Sequence, residues 1–346
     1  MIISLQLPRQ LLLSLVIVSP LFLAAQAKYA GELFEFPGDA RSVAMGGTGV
    51  SNTHEAATGF YNPALVGRLS QPSLVLARRE QFGGMVSADL MAVNFISSPD
   101  LAVQLGLVRR GVDDIPDTRS ALALADSNGN GRLDIHERPD PDNISYFNQR
   151  EWGLLLSVAR KNQRGWHWGT SVKLIGHWLA DELGLGLGFD LGVWRAFGRA
   201  LSMGLMLQDL TTTQVYWSTG RWATTAPRVT TGLKGDFTLP LIRRPVVIEG
   251  ELSSRLDGRR LERAFELGQV SFLAQAGVEL VINNNLRLRG GSATLYPFTL
   301  GVGLSFPIFH VDYAYVENTR AGVFEPTHQL SITLFLETLR AFLGAE

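Results

Sequence analysis

Residues Asp126 to Glu137, Asp-Ser-Asn-Gly-Asn-Gly-Arg-Leu-Asp-Ile-His-Glu, could hold a hard cation. They match the calcium-loop pattern D-x-[DN]-x-[DN]-G-x5-E at every fixed position. Calcium takes six to eight oxygen ligands, and a twelve-residue loop supplies them at fixed steps. Asp126, Asn128 and Asn130 offer side-chain oxygens at the first, third and fifth positions. Arg132 gives its backbone carbonyl at the seventh, Asp134 acts at the ninth through water, and Glu137 closes the site with both oxygens. Gly131 permits the sharp turn, and Leu133 packs the loop. Thr118 to Ala125 can form an entering helix, whereas Pro139 bars an ordinary exiting one. A polar loop without metal is the plainer alternative. Twelve positions in register favour one Ca²⁺ in a structural role.

Other chemistry is sparse. The chain has no cysteine, which excludes disulfides, thiolate metal sites and cysteine nucleophiles. His54, His136, His167, His177, His310 and His328 show no zinc spacing, and no G-x-S-x-G elbow occurs. Gly46-Gly47-Thr48-Gly49 lacks the Gly-Lys-Ser/Thr ending of a phosphate loop. A net charge of -1 gives no basic footprint for nucleic acid. Lys173, Asp190, Arg287, Arg289, His310 and Asp312 fall on polar strand faces, where a buried charge network is expected rather than catalysis. The chain reads as a non-enzyme.

The elements that must carry these residues alternate with period two. From Leu185 to Val193 every odd position is apolar, while the even ones are glycine or Asp190. Trp166, Trp168, Val172 and Leu174 oppose His167, Gly169, Ser171 and Lys173. Leu286 and Leu288 oppose Arg287 and Arg289. Leu330, Ile332, Leu334 and Leu336 oppose Gln329, Ser331, Thr333 and Phe335. About fourteen such strands follow Pro72, near 72–79, 85–97, 100–110, 149–160, 166–178, 184–196, 200–209, 226–236, 245–254, 271–282, 285–293, 297–306, 308–317 and 327–337. Ten tilted strand residues cross a bilayer, and closure satisfies every backbone donor. The expected fold is all-β, a closed antiparallel transmembrane barrel.

The connections agree. Every second one is short, as at Phe197-Gly198-Arg199 and Asn283-Asn284, and the long ones fall near 111–148, 210–225, 255–270 and 318–326. Barrels of the outer membrane have short periplasmic turns and long external loops. Trp152, Trp166, Trp168, Trp178, Tyr216, Trp217, Trp222, Tyr296, Tyr313 and Tyr315 stand near strand ends, where interfacial girdles lie. Residues 1–27 read as a signal peptide, with Arg9, an apolar stretch from Leu11 to Leu23, and Ala25-Gln26-Ala27 for cleavage.

Residues Phe36 to Val50, with Ala40-Arg41 followed by Met45-Gly46-Gly47, resemble the opening of PorV/PorQ-type proteins in the FadL-like outer-membrane superfamily. Tyr61-Asn62-Pro63-Ala64-Leu65 resembles their second segment, and Val311 to Tyr315 with His328 to Ile332 their closing hairpin. The resemblance implies an N-terminal segment folded into the lumen as a plug. It implies either passage of hydrophobic small molecules or an accessory, anchoring role with secretion-system proteins of type IX secretion. The calcium loop resembles a single EF-hand or dockerin loop inserted into an external connection. The expected layout is a signal peptide at 1–27, a plug at 28–70, a barrel at 71–337 and a tail at 338–346. An external insertion spans 111–148, with the calcium loop at 126–137. The partner is the lipid bilayer of the outer membrane. The alternative is a secreted soluble β-protein stabilised by calcium.

Overall fold

A strand that alternates must choose which face meets which solvent, and these strands all make the same choice. The computed structural model describes residues 32–344, except 36–37, 53–56, 99, 128, 133, 163, 242, 256–264, 268–269, 295 and 318–324. The expected signal peptide lies outside the described residues.

The wall begins with β1 (Ser73–Gln81), β2 (Val86–Ser98), β3 (Leu101–Asp117), β4 (Ser145–Lys161), β5 (Trp166–Leu179), β6 (Glu182–Phe197) and β7 (Leu201–Gln208). Next come β8 (Thr213–Trp217), β9 (Trp222–Thr225), β10 (Arg228–Leu239), β11 (Arg244–Arg255) and β12 (Phe265–Leu267). The last five are β13 (Val270–Val281), β14 (Leu286–Ala293), β15 (Thr299–Ser305), β16 (Phe309–Val316) and β17 (Thr327–Phe335). All pairings are antiparallel, and β1 pairs with both β2 and β17, so the sheet closes on itself. β7 and β8 pair with successive stretches of β6, so β8 and β9 prolong the β7–β10 hairpin. Among the described residues, β12 pairs with the start of β13 alone. Setting those three aside, the wall has fourteen strands.

The faces are inverted relative to a soluble protein. Leu76, Leu156, Leu185, Leu233 and Leu300 are 44%, 44%, 59%, 53% and 53% exposed. Gln104, Lys173, Glu249, Glu279 and Gln329 are buried. Water would penalise that apolar belt, whereas lipid favours it. The chain is therefore a membrane-embedded barrel, and the soluble alternative does not fit.

Several boundaries differ from expectation. β3 and β4 run on to Asp117 and back from Ser145, so they form a projecting arm and shorten the 111–148 loop. A bulge between Val112 and Ile115 bends the arm, with Asp114 at φ 57° donating its N–H to Asn148 Oδ1 at 3.0 Å. The arm carries helix α2 (Arg119–Ala125). β17 stops at Phe335, and α3 (Leu336–Leu343) replaces the expected strand end and tail. Trp217 packs against the lumenal apolar cluster, and Tyr296 packs beside Ala40 and Val43, so neither joins a girdle. The remaining girdle candidates include Trp152, Trp168, Trp178, Tyr216 and Trp222, all exposed.

The N-terminal segment fills the barrel with, among the described residues, short helical turns and no strand. Helix α1 (Ala40–Ala44) is capped by Asp39, whose side chain accepts the Ser42 N–H at 2.9 Å. Short 3-10 turns occupy 32–35, 58–60 and 63–68, the last capped by Asn62.

Candidate functional site: the plugged lumen

The lumen wall carries an apolar patch on one side, flanked by buried Arg79, Asn94, Gln104, Glu151 and Lys173 on the same strands, and an ionic network on the other. Along β1 to β5, Val75, Leu90, Val108, Leu155 and Ile175 point inward, joined by Val215 of β8. They enclose Leu33, Phe34, Ala57 and Phe60 of the plug. The Phe34 and Phe60 rings stack with centroids 6.4 Å apart. Such burial stabilises by roughly 1.5–3 kcal/mol per large apolar side chain.

The other side is ionic. Arg41 Nε meets Glu279 Oε2 at 2.9 Å, and its Nη2 meets Glu249 Oε1 at 3.3 Å. Arg289 bridges Glu279 at 2.7 Å and Asp312 at 2.6 Å. Thr48 Oγ1 donates to Glu249 at 2.9 Å. The Gly49 and Val50 N–H groups both donate to Glu251 Oε1 at 2.6 Å. A second ionic cluster lies on the apolar side, beneath Phe34: Lys173 Nζ contacts Asp190 at 2.8 Å and Asp209 at 2.5 Å, and stands 5.5 Å from the Phe34 ring centre. These groups are buried, so each charge needs its partner.

Backbone contacts complete the latch. Gln104 accepts the Gly59 N–H at 2.8 Å, and Trp194 Nε1 donates to Ser51 O at 3.1 Å. Asn62 Nδ2 donates to Val50 O at 2.9 Å and to Val193 O at 3.1 Å, tying plug to plug and plug to wall. Ser331 of β17 accepts the Ala40 N–H at 3.0 Å, and Gln329 donates to Gly38 O. Eight wall glycines stand where a Cβ would fall within 3 Å of the plug. At Gly277 it would lie 2.4 Å from Met45 O, and at Gly291 2.3 Å from Gly46 N. The plug backbone therefore touches the wall backbone. At the short-turn end a cavity of about 300 Å³ remains, bordered by Arg287, His310, Thr333 and Phe335.

The sequence-based charge network is real but divided. Lys173 and Asp190 belong to one cluster, and Arg289 and Asp312 to another. Arg287 and His310 line the short-turn cavity. Arg41, Glu249, Glu251 and Glu279 escaped sequence reading. Glu249 and Glu251 did alternate with Ile248 and Leu252, which marks an inward face, but nothing local pairs them with Arg41.

The calcium candidates lie on the β3–β4 arm, in an exposed loop outside this lumen. Asp126 accepts the Asn130 and Gly131 N–H groups at 3.1 and 2.7 Å, with Gly129 at φ 70° and Gly131 at φ 71°. Asn130 Oδ1 accepts the Arg132 N–H at 2.7 Å, and its Nδ2 donates to Asp134 at 3.1 Å. Glu137 accepts the Ser127 N–H at 2.8 Å through Oε1 and the Asp134 N–H at 2.9 Å through Oε2. Thus Asp126, Asn130, Arg132, Asp134 and Glu137 share one hydrogen-bonded loop, while Asn128 lies outside the described residues. Among the described residues, no three His, Cys, Asp or Glu side chains form a group that could hold a metal. The donors are hard oxygens, yet the Glu137 carboxylate is engaged by N–H groups.

No protein-family model and no curated protein matches the chain. Solved structures do. The Pseudomonas putida toluene transporter TodX aligns with a TM-score of 0.58 at 14% identity, covering 86% of this chain and 96% of that one. The Ralstonia pickettii toluene transporter TbuX aligns at 0.54 and 14% identity, covering 86% and 97%. A Pseudomonas aeruginosa FadL homologue aligns at 0.51 and 10% identity, covering 86% and 98%. This chain shares their fold.

Proposed function

We propose that this chain is an outer-membrane barrel that passes hydrophobic small molecules, held closed by its N-terminal plug. The observation that carries this reading is the apolar patch of the lumen wall. A pore for ions or sugars has no use for a wall of Val75, Leu90, Val108, Leu155 and Ile175. A hydrophobic solute does, once Leu33 and Phe34 give way. The shared fold with toluene transporters supports this reading. The test uses cells lacking their own hydrocarbon channels and making this protein, with uptake of labelled toluene as the readout. Uptake should exceed that of cells without the protein, and Phe34→Ala should raise it further. Equal uptake with and without protein in the outer membrane would sink the proposal.

We also place the chain in the PorV/PorQ branch on the segments Ala40 to Gly47 and Tyr61 to Leu65, which form the core of the plug. That branch admits the second role, anchoring exported proteins in type IX secretion. The β3–β4 arm supports it, because it runs on past the neighbouring strands to Asp117 and Ser145 and offers a surface for a partner. Co-purification of an exported protein through its C-terminal sorting domain, abolished when the arm is shortened to the bulge, is the expected result. The arm's loop is proposed to take one Ca²⁺ through Asp126, Asn128, Asn130, the Arg132 carbonyl, Asp134 and Glu137. Glu137 must then exchange its N–H partners for the ion.

A further inference from the structure

Two grooves meet on the outer wall, near its external end. The lower one holds about 440 Å³ and is floored by Leu76, Met91, Leu107 and Ile332. Its upper end is a row of outward-facing charges on three neighbouring strands. Arg78 Nη1 meets Asp89 Oδ1 at 3.0 Å, and Arg109 Nη1 meets Asp89 Oδ2 at 3.3 Å. Arg78 also pairs with Glu80 at 3.0 Å. The upper groove holds about 590 Å³ beneath the projecting arm. Its aromatic faces are Tyr146, Trp152 and Trp178, and its polar groups include Asn148, Arg150 and Asp181. Trp152 lines both grooves, and the Arg109 guanidinium stands 6.0 Å from its ring centre. The two grooves are therefore one surface with three zones.

Each zone selects a different chemistry. The aliphatic floor continues the lipid-facing belt and suits an acyl chain. Arg78 and Arg109 are balanced by Glu80 and Asp89, and what suits a phosphate is the set of N–H donors those ion pairs leave over. A guanidinium has five N–H donors, and Arg109 gives one to Asp89, leaving others for a phosphate oxygen. Exposed aromatic faces beside amide, carboxylate and guanidinium groups suit a sugar ring, which offers an apolar face and a rim of hydroxyls. The zones follow one another from the bilayer outward. A single molecule carries acyl chain, phosphate and sugar in that order.

We propose that this outer-wall groove binds a phosphorylated glycolipid of the outer leaflet, with Arg78 and Arg109 on its phosphate and Trp152 and Trp178 on its sugar. The proposal rests on the outer-membrane placement above but not on solute passage. A plain phospholipid would leave the aromatic zone empty, so it should bind less well.

The full-length protein, purified in mild detergent, is mixed with short-core lipopolysaccharide or with phosphatidylglycerol, and retained lipid is read by native mass spectrometry. One lipopolysaccharide per barrel should be retained, at about tenfold lower concentration than phosphatidylglycerol. Arg78→Gln with Arg109→Gln should weaken lipopolysaccharide about tenfold or more. Trp178→Leu keeps an apolar side chain and should abolish the preference over phosphatidylglycerol. Arg160→Gln, at the opposite end of the wall, should change nothing. Should the double variant not fold, as read by heat-modifiable gel migration, Arg109→Gln alone serves the same comparison. Equal retention of both lipids, or unchanged retention by the arginine variants, overturns the proposal. Toluene uptake would stand unaffected by that failure, which separates it from failure of the passage reading.

Discussion

Arg41 is where the plug's fate is concentrated. It is buried between Glu249 and Glu279, on strands more than 200 positions away. Removing one partner of a buried pair leaves an uncompensated charge and costs about 3–5 kcal/mol. Arg289 still serves Glu279, while Glu249 is left with the Thr48 hydroxyl, so the full range applies. Arg41→Ala should therefore keep the barrel but loosen the plug, giving spontaneous openings in planar bilayers that the parent lacks. A variant as quiet as the parent would refute the clamp. The glycines make an independent test. Gly277→Ala forces a Cβ to within 2.4 Å of Met45 O and should cost about 1–3 kcal/mol of stability. Gly250→Ala meets nothing within 4 Å and should be silent. Heat-modifiable migration over a temperature series reads both. The inward facing of Lys173, Asp190, Arg289 and Asp312 was legible because alternation is local. Their further partners Asp209 and Glu279 were not, because which strands stand side by side leaves no mark on spacing.

At the scale of elements, facing was the most legible feature and depth the least. Leu187 is 44% exposed on the outer wall, so Leu187→Arg should cost about 2–4 kcal/mol if near the midplane, measured by folding into micelles. A polar residue at Gly186, on the opposite face, looks harmless from sequence alone. The structure says otherwise, since a Cβ there would meet Val215 at 2.6 Å and Gln214 O at 2.8 Å. Gly186→Ser should be damaging too, because β8 presses against that position. The 210–225 stretch hid this strand, being too short and polar to show a period. The arm was hidden differently: alternation breaks at the Val112–Ile115 bulge, so the strand seemed to end there. On the arm, titration calorimetry should show one calcium site that Glu137→Ala abolishes. Calcium should also slow proteolysis between Gly111 and Tyr146 without changing strand content by circular dichroism. No heat at roughly millimolar calcium, the weak end of extracellular modules, refutes the site.

At the scale of the whole molecule, the plug and the wall are two parts of one core. Deleting residues 28–60 should raise small-solute conductance in reconstituted bilayers, and unchanged conductance would argue against occlusion by this segment. The count of fourteen strands and the lumenal position of the N-terminal segment were both legible, the first from repeated alternation, the second through resemblance. How tightly that segment fits was not, because eight glycines on eight strands look like ordinary strand interruptions until their neighbours are seen.

The seam between β1 and β17 carries a consequence for biogenesis. β17 is the last strand of the wall to be made, yet its Gln329 and Ser331 reach Gly38 and Ala40 of the N-terminal segment. The final stitch of the cylinder is thus fitted against a template threaded in at the start. A chain whose N-terminal segment arrives late or damaged would leave its last strand hesitating at an open seam. Closure would then depend on what the barrel contains, and refolding without residues 28–60 should be slowest at the closing step.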